Sequence, residues 1–204
     1  MNTLNGIILA GGLSSRFGSC KTKLKLNKQS ILASSFDLLK LFCKDVSLSC
    51  HEDKKISHYP CIYDQYPCRA PINGIYSSLL HYKSPILVLS CDLPFINALT
   101  LEKLIDARNK AYVSNNNLHM TTFMQNKTLL IEPLVAIYEY RALSLLKTAL
   151  EQEKYALSKI IPVEFREHII TEDTKPFFNI NYQADLQKAK EISLTVFFNY
   201  NAKA

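Results

Sequence analysis

Glycine is scarce in this chain, and most of what there is lies in one place. Average usage of about 7% would give roughly 14 glycines in a chain of this length, whereas this one has 5 in 204 residues. Gly11, Gly12 and Gly18 fall within one short stretch. Glycine adopts positive φ and allows close backbone approach. We therefore expect a loop with a binding role between residues 11 and 18.

Other absences exclude several classes of protein. No apolar run approaches the roughly 18 residues of a membrane-spanning helix, and the first residues lack the features of a secretory leader. The six cysteines form no Cys-x-x-Cys pair and the five histidines are scattered, which disfavours a zinc site and favours reduced thiols. Basic and aromatic residues do not interleave as in nucleic-acid-binding proteins. These absences predict a cytoplasmic protein with neither a membrane nor a nucleic acid as partner.

The composition is otherwise that of a folded domain. Hydrophobic residues make up 48% and charged residues 21%, with a net charge of +6. The length favours a single domain, predicted over residues 1–193 with a C-terminal tail at 194–204. The tail contains an apolar stretch at 196–198 that fits either an edge strand or a disordered end. The positive charge suits a solvated surface and also a polyanionic ligand.

Short apolar runs alternate with longer amphipathic segments. This alternation predicts a three-layer αβα, Rossmann-like domain with a mostly parallel sheet, and the second half inserts antiparallel strands. The predicted strands are 6–10, 46–49, 61–63, 86–90, 120–124, 128–131 and 134–138, with a loop and short strand over 171–179. The predicted helices are 31–42, 74–82, 99–110, 140–152 and 184–192.

The segment from Leu9 to Lys21 carries the strongest functional signal. It begins where the first predicted strand ends, and open parallel sheets bind ligands beyond the carboxyl ends of their strands. Successive backbone N–H groups in a glycine turn cradle phosphate oxygens, and the side chains of Arg16 and Lys21 add positive charge. The segment matches neither the Walker A loop nor the dinucleotide-binding glycine motif. It therefore predicts a phosphate-binding loop of another kind.

A carboxylate follows the second strongly apolar strand. Asp92 comes directly after the predicted strand 86–90, and Pro94 stiffens the chain beyond it. Such a carboxylate holds Mg²⁺ together with substrate phosphates, or else it caps a turn or helix. Two polar segments, 64–74 and 177–181, are either ordinary turns or parts of the same site. Asn179 and Asn181 would share one face if the second segment is extended.

These motifs together resemble a known family. Leu9-Ala-Gly-Gly-Leu-Ser-Ser-Arg-Phe-Gly-Ser-Cys-Lys21 is similar to the Leu-Ala-Gly-Gly-x-Ser-x-Arg-x-Gly-x-x-Lys signature of nucleotidyltransferases that make activated nucleotides. Asp92-Leu-Pro94 resembles their Asp-x-Pro metal motif, and Ala70-Pro-Ile-Asn-Gly74 resembles a Gly-Pro-Leu-x-Gly loop. Glu132-Pro-Leu-Val-Ala-Ile-Tyr138 and Asn179-Ile-Asn181 have counterparts in one branch, the molybdenum cofactor guanylyltransferases. The matches follow in order across residues 7 to 190.

The resemblance implies a fold, a reaction and partners. The fold would be that of the nucleotide-diphospho-sugar transferases. The reaction would transfer GMP from GTP to the phosphate of Mo-molybdopterin, with Mg²⁺, giving Mo-molybdopterin guanine dinucleotide and pyrophosphate. The implied protein partners are those that insert molybdenum and the chaperones of molybdoenzymes.

The resemblance also implies site residues. Arg16, Lys21 and Asp92 would be catalytic, and Asp92 would also hold the metal. Asn179 and Asn181 would approach the pterin. The nucleotide would contact Leu9, Ala10, Gly11, Gly12, Lys21, Ser49, Asp64, Ala70, Gly74 and Asp92. The chain departs from the family pattern at three positions, with Cys20 for a common Asp, Ser49 for a common Asn and Ala70 for a usual Gly.

Two alternatives stay open from the sequence. The first is a related nucleotidyltransferase that uses CTP or a sugar phosphate, although Gly11-Gly12 suits a purine-binding member and cytidylyl relatives more often carry Ala-Gly. The second is a noncatalytic module that only holds a nucleotide or the cofactor, since three family positions are substituted.

Overall fold

The computed structural model describes residues 3–11, 21–53, 58–115 and 117–201. A seven-stranded sheet forms the centre, in the order β5-β4-β1-β6-β8-β7-β9, beside a small hairpin of β2 and β3. The strands are β1 Asn5–Leu9, β2 Lys25–Leu26, β3 Gln29–Ser30, β4 Val46–Cys50, β5 Cys61–Tyr63, β6 Ile86–Ser90, β7 Met120–Gln125, β8 Ile131–Tyr138 and β9 Arg166–Thr171. The helices are α1 Ile31–Lys40, α2 Pro71–Tyr82, α3 Ala98–Ser114, α4 Leu143–Glu151, α5 Leu157–Ile160 and α6 Gln183–Asn201.

The strand directions confirm a mostly parallel sheet with an antiparallel insertion. β1 pairs in parallel with β4 and β6, and β4 pairs in parallel with β5. β8 runs antiparallel to both of its neighbours, β6 and β7, while β7 and β9 are parallel. The carboxyl ends of β5, β4, β1 and β6 therefore meet at one edge of the sheet.

Helices cover both faces of this sheet, which confirms the three-layer architecture. Successive side chains of a strand point to opposite faces, so the fully buried neighbours Ile7 and Ile8 enter different cores. Ile8 joins the core under α1 and α3, and Ile7 joins the core under α2 and α4. Strand β1 is thus buried on both sides, as its continuous apolar run predicts.

Local signals explain where the main helices begin. Ser30 caps α1 by accepting a hydrogen bond from the Ala33 N–H at 3.3 Å. Asn97 caps α3 by accepting one from the Thr100 N–H at 3.0 Å. Helix α2 begins at Pro71, three residues before the predicted start, because proline is favoured in the first turn of a helix.

The second half departs from the predicted strands. β8 is continuous through Pro133, where two strands at 128–131 and 134–138 were expected. The register of β7 against β8 shifts between Thr122 and Met124, which is the level of Pro133. A proline without an N–H donor is accommodated where the ladder is already irregular.

Several further elements differ from the prediction. The hairpin β2–β3 turns through Asn27 and Lys28, both at positive φ, within a segment predicted as loop. Strand β9 was not predicted, and Lys175–Phe177 form a 3-10 helix in place of a short strand. The edge-strand alternative for residues 196–198 is wrong, because α6 runs through them. Extending an existing helix costs less free energy than nucleating a new element.

In the described ranges no helix has the length and apolar character needed to cross a membrane.

Candidate active site

A cavity of about 220 Å³ opens at the carboxyl edge of the sheet. It lies where the strand order reverses, since β1 is flanked by β4 on one side and β6 on the other. Such reversal points are where open α/β sheets bind ligands. The cavity is lined by Leu9, Ala10, Gly11, Ser49, Asp64, Arg69, Ala70, Pro71, Gly74, Ser90, Cys91, Asp92, Leu134 and Asn181.

Most of the predicted site residues meet in this cavity. Those in its wall are Leu9, Ala10, Gly11, Ser49, Asp64, Ala70, Gly74, Asp92 and Asn181. Gly12 and Arg16 lie outside the described residues. The backbone of Lys21 starts the 3-10 helix Lys21–Lys23. Asn179 is not among the lining residues.

The sheet register explains why distant segments converge. Leu9 of β1 pairs with Ser49 of β4 and with Ser90 of β6, so the three strands end at the same level. The Ala10 N–H extends the ladder by donating to the Ser49 carbonyl oxygen at 2.9 Å. The chain leaving β1 therefore faces the chain leaving β6, and Gly11 and Asp92 line the same cavity.

Asp92 is a buried carboxylate held in one orientation. Its side chain is 6% exposed, and the Ser90 hydroxyl donates to Asp92 Oδ1 at 2.6 Å. The Asp92 carbonyl oxygen accepts a hydrogen bond from the Ile180 N–H at 3.1 Å. The helix that follows, α3, is capped by Asn97, so the helix-cap alternative for Asp92 does not apply. A buried carboxylate of this kind suits a divalent cation that shares substrate phosphates.

Asp64 and Ser49 form the opposite wall. The Ser49 hydroxyl donates to Asp64 Oδ1 at 2.9 Å. Asp64 Oδ2 lies 3.2 Å from the position that a Cβ on Gly11 would occupy, so a side chain there would press on the carboxylate. The cavity thus has two separate acidic groups, Asp92 on the β6 side and Asp64 on the β5 side.

Gly74 has a packing role in addition to its place in the cavity wall. A Cβ at Gly74 would lie 2.2 Å from Ser49 Oγ and 2.8 Å from Leu9 Cδ2. These distances are shorter than real Cβ contacts, so α2 approaches β1 and β4 this closely only with glycine. Ser49 itself lies beside Asp64 because β4 pairs with β5, so that Cys50 is opposite Tyr63.

Two side chains of α2 fix the loop between β5 and α2, which sequence reasoning did not assign. Asn73 is fully buried, accepts from the Tyr66 N–H at 3.1 Å and donates to the carbonyl oxygens of Tyr66 at 2.6 Å and Cys68 at 2.9 Å. The Gln65 N–H donates to Ser77 Oγ at 2.9 Å. Buried polar groups need such partners, but a sequence does not reveal that an asparagine inside a helix will be buried.

Arg69 also lines the cavity and was not among the predicted site residues. Among the described residues that line the cavity, it carries the only positive charge. Its Nη2 lies 2.6 Å from Asp53 Oδ2, and Asp53 Oδ1 lies 3.1 Å from His51 Nδ1. The hydrogen bond from Arg69 is the main cause that lowers the pKa of Asp53. The available signal was a cation in a polar loop bracketed by two prolines.

Ser90, Cys91 and Leu134 complete the wall on the β6 side. Leu134 reaches the site because Val135 of the antiparallel strand β8 pairs with Leu89 of β6. The motif at 132–138 pointed to this strand, but only the antiparallel direction of β8 places its first half at the cavity.

The two C-terminal asparagines have different surroundings. Asn181 is exposed and lines the cavity, and its N–H donates to Asp185 Oδ2 at 2.9 Å. Asn179 is partly buried and its Nδ2 donates to the Phe177 carbonyl oxygen at 3.2 Å. Of the pair predicted to share one face, Asn181 alone lines the cavity in the structure.

Comparison with known proteins gives consistent matches over most of the chain. A family model described as a MobA-like NTP transferase domain matches residues 6–167. A molybdenum cofactor guanylyltransferase of Campylobacter jejuni (strain RM1221) is 28% identical over 196 residues, covering 93% of this chain and 97% of its own length. A probable molybdenum cofactor guanylyltransferase of Methanocaldococcus jannaschii is 31% identical over 193 residues, covering 86% and 93%. The crystal structure of molybdopterin-guanine dinucleotide biosynthesis protein A from Archaeoglobus fulgidus has the same fold, with a TM-score of 0.77, 23% identity and coverage of 94% and 100%.

Proposed function

Because the chain belongs to the MobA-like NTP transferase family, we propose that it transfers GMP from GTP to Mo-molybdopterin, giving Mo-molybdopterin guanine dinucleotide and pyrophosphate. The family match confirms the resemblance that the motifs predicted, and it makes the protein a nucleotidyltransferase. The observation that carries the proposal is the single cavity that joins Gly11, Asp64 and Asp92 at the carboxyl edge. The relatives from Campylobacter and Methanocaldococcus are named as molybdenum cofactor guanylyltransferases, which supports the proposed substrates.

In this proposal the triphosphate lies at the β1–β6 end of the cavity. The chain leaves β1 there through Leu9, Ala10 and Gly11, and the predicted phosphate loop with Gly12, Arg16 and Lys21 follows. Backbone N–H groups and the two cationic side chains would stabilise the negative charge of the triphosphate and of the leaving pyrophosphate.

Asp92 fits a magnesium ion, and we propose it as the protein ligand. Magnesium is typically bound through one or two carboxylates together with substrate phosphates, and the described residues include no cluster of three acidic, His or Cys side chains. The buried carboxylate of Asp92, oriented by Ser90, fits such a donor set. When bound, the ion would neutralise phosphate charge and help to align the attacking and leaving oxygens.

The chain's own part in the reaction is mainly positioning. A phosphate oxygen of the pterin substrate attacks the α-phosphorus of GTP, and pyrophosphate leaves with the electrons of the broken P–O bond. A phosphate monoester has a second pKa of about 6, so the attacking group is ionised near neutral pH and needs no general base. Asn181 beside Asp92, with Asn179 behind it in the chain, would orient the pterin.

The nucleoside would occupy the β4–β5 end. Asp64 is held there by Ser49, and Ala70 and Gly74 line the same end. Ser49 stands where the family commonly has Asn. Because its hydroxyl donates to Asp64, we expect it to act on the ligand mainly through that carboxylate.

Pyrophosphate release tests the proposal. We expect release from GTP with Mg²⁺ that depends on added Mo-molybdopterin and is much slower with CTP, ATP or UTP. A preference for CTP would replace the guanylyl assignment with a cytidylyl one. Nucleotide binding without pyrophosphate release in the presence of the pterin would identify a noncatalytic module. We expect the reaction in the cytoplasm, a reducing compartment, with molybdenum-insertion proteins and molybdoenzyme chaperones as its neighbours in the process.

A further inference from the structure

We propose that Arg69 selects guanine over adenine by donating hydrogen bonds to the O6 and N7 acceptors of the base. This inference rests on the proposed function, because it names the residue that reads the base of the GTP substrate. It starts from a side chain that lies within the polar segment 64–74, was not among the predicted site residues, and lines the cavity.

The position of Arg69 places it at the base rather than at the phosphates. Asp92 follows β6, whereas Arg69 lies in the loop that follows β5. β5 and β6 are three strand spacings apart in the order β5-β4-β1-β6, which corresponds to about 14 Å. If the phosphates lie against β1 and Asp92, the other end of the nucleotide reaches Asp64 and Arg69.

Arg69 is held in place before any ligand arrives. The preceding residue, Cys68, is tied to the fully buried Asn73 by a 2.9 Å hydrogen bond to its carbonyl oxygen. The guanidinium is held by Asp53 at 2.6 Å. Arg69 lowers the pKa of Asp53, so this carboxylate stays ionised at neutral pH. A side chain ordered in advance loses less entropy when it binds a ligand.

The guanidinium retains donors for a ligand. It carries five N–H groups in a planar fork, and its hydrogen bond within the described residues uses Nη2. Its side chain is 30% exposed, so a ligand in the cavity has access to it. A fork of parallel N–H groups matches two adjacent acceptors, which a lysine ammonium does not.

Guanine presents that pair of acceptors and adenine does not. The O6 and N7 atoms of guanine both accept, and arginine binds them with two hydrogen bonds. Adenine has the N6 amino group in place of O6. An N–H donor of Arg69 would therefore face a second donor, and neither would have an acceptor. Asp64 complements this arrangement, because a carboxylate accepts from the N1–H and the N2 amino group on the other edge of guanine.

The experiment compares Mg²⁺-dependent binding of GTP, ITP and ATP by calorimetry. ITP keeps O6, N7 and N1–H and lacks only the N2 amino group, so it retains the edge assigned to Arg69 and removes one of the two contacts assigned to Asp64. In the wild-type protein we expect GTP and ITP to bind more tightly than ATP. Arg69→Ala and Arg69→Lys should each weaken GTP and ITP by roughly 10- to 100-fold and leave ATP nearly unchanged.

Arg141→Ala is the matched control. Arg141 is exposed, and its guanidinium lies 5.8 Å from the ring centre of Tyr112. It follows the carboxyl end of the antiparallel strand β8, at the edge of the sheet opposite the cavity. Its loss should leave all three affinities unchanged. Asp53→Asn, which releases the guanidinium, should cause a smaller loss confined to GTP and ITP.

The possible results separate the two claims. If Arg69→Ala keeps the wild-type preference for GTP and ITP over ATP, the inference is wrong while guanylyl transfer stands. If Arg69→Ala weakens all three nucleotides equally, Arg69 binds phosphate beside the start of α2 and does not read the base. If the wild-type protein binds no nucleoside triphosphate, the proposed function fails and the inference fails with it.

Discussion

Replacing Gly74 by alanine tests whether the close approach of α2 to the sheet shapes the site. The added Cβ would lie 2.2 Å from Ser49 Oγ and 2.8 Å from Leu9 Cδ2. Either Ser49 leaves its hydrogen bond to Asp64 or α2 moves away from β1 and β4. Both responses alter the wall of the cavity at the end assigned to the nucleoside.

Two opposing free-energy terms set the size of the effect. Alanine in place of glycine within a helix stabilises by about 1 kcal/mol. Overpacking a buried contact typically costs about 1–3 kcal/mol and occasionally more, and contacts below 3.0 Å belong at the upper end of that range. We therefore expect Gly74→Ala to lower the free energy of unfolding by about 1–2 kcal/mol. For a domain of this length each kcal/mol lowers Tm by about 2–4 °C.

The assay is thermal and urea denaturation of a small set of variants, together with GTP affinity. Ser49→Ala removes the hydroxyl at the shortest contact and breaks its bond to Asp64. In that background Gly74→Ala should cost less stability than in the wild type, because the nearest clash is gone. Lys103→Ala, at an exposed position of α3, controls for the general effect of alanine in a helix.

Two outcomes would refute the reasoning. A Tm equal to or above that of the wild type would mean that α2 has room for a Cβ and that Gly74 serves another purpose. Equal costs of Gly74→Ala in the wild-type and Ser49→Ala backgrounds would mean that Ser49 is not the group that the methyl meets.

Three further predictions concern charged groups. Asp92→Asn should reduce pyrophosphate release at least 100-fold, because the proposed magnesium ligand is lost. The urea midpoint should stay near that of the wild type, because the carboxylate is proposed to act on the phosphates through the metal. Near-normal release with Mg²⁺ would contradict the metal assignment. The buried side chains of Arg108 and Glu139 are joined by hydrogen bonds of 2.6 and 2.9 Å. Arg108→Met should lower the free energy of unfolding by about 3–5 kcal/mol, because it leaves the Glu139 carboxylate buried and unpaired. Adding Glu139→Leu should restore most of this loss in urea denaturation, and no recovery would contradict the view that an unpaired buried charge causes it. Burial, reinforced by Arg166, lowers the pKa of His168, so the unfolded chain binds a proton at higher pH than the folded one. Stability should fall as pH drops below about 6.5, and less so in His168→Gln when urea midpoints at pH 7 and 5 are compared; identical changes in both proteins would show that another group titrates.

The sequence determined the central strands and the edge of the sheet at which most of the predicted site residues lie. The runs at 7–9 in β1 and 86–89 in β6 are continuously apolar, as is typical of strands buried on both faces. A parallel strand presents its carboxyl end to the ligand, so Gly11 and Asp92 could be assigned to one edge before any contact was known. The same rule left the segment that begins at Asp64 open between an ordinary turn and a part of the site, and the family resemblance assigned Asp64 to the nucleotide.

Tertiary structure alone added Leu134 and Arg69 to the cavity wall. The antiparallel direction of β8 brings Leu134 to the cavity, and the burial of Asn73 fixes the loop that carries Arg69. The Asp53–Arg69 ion pair spans two separate loops. Periodicity and strand polarity are local properties that a chain displays along its length. Strand order and side-chain partners depend on which surfaces pack together, and that is settled only when the whole sheet and its helices have assembled.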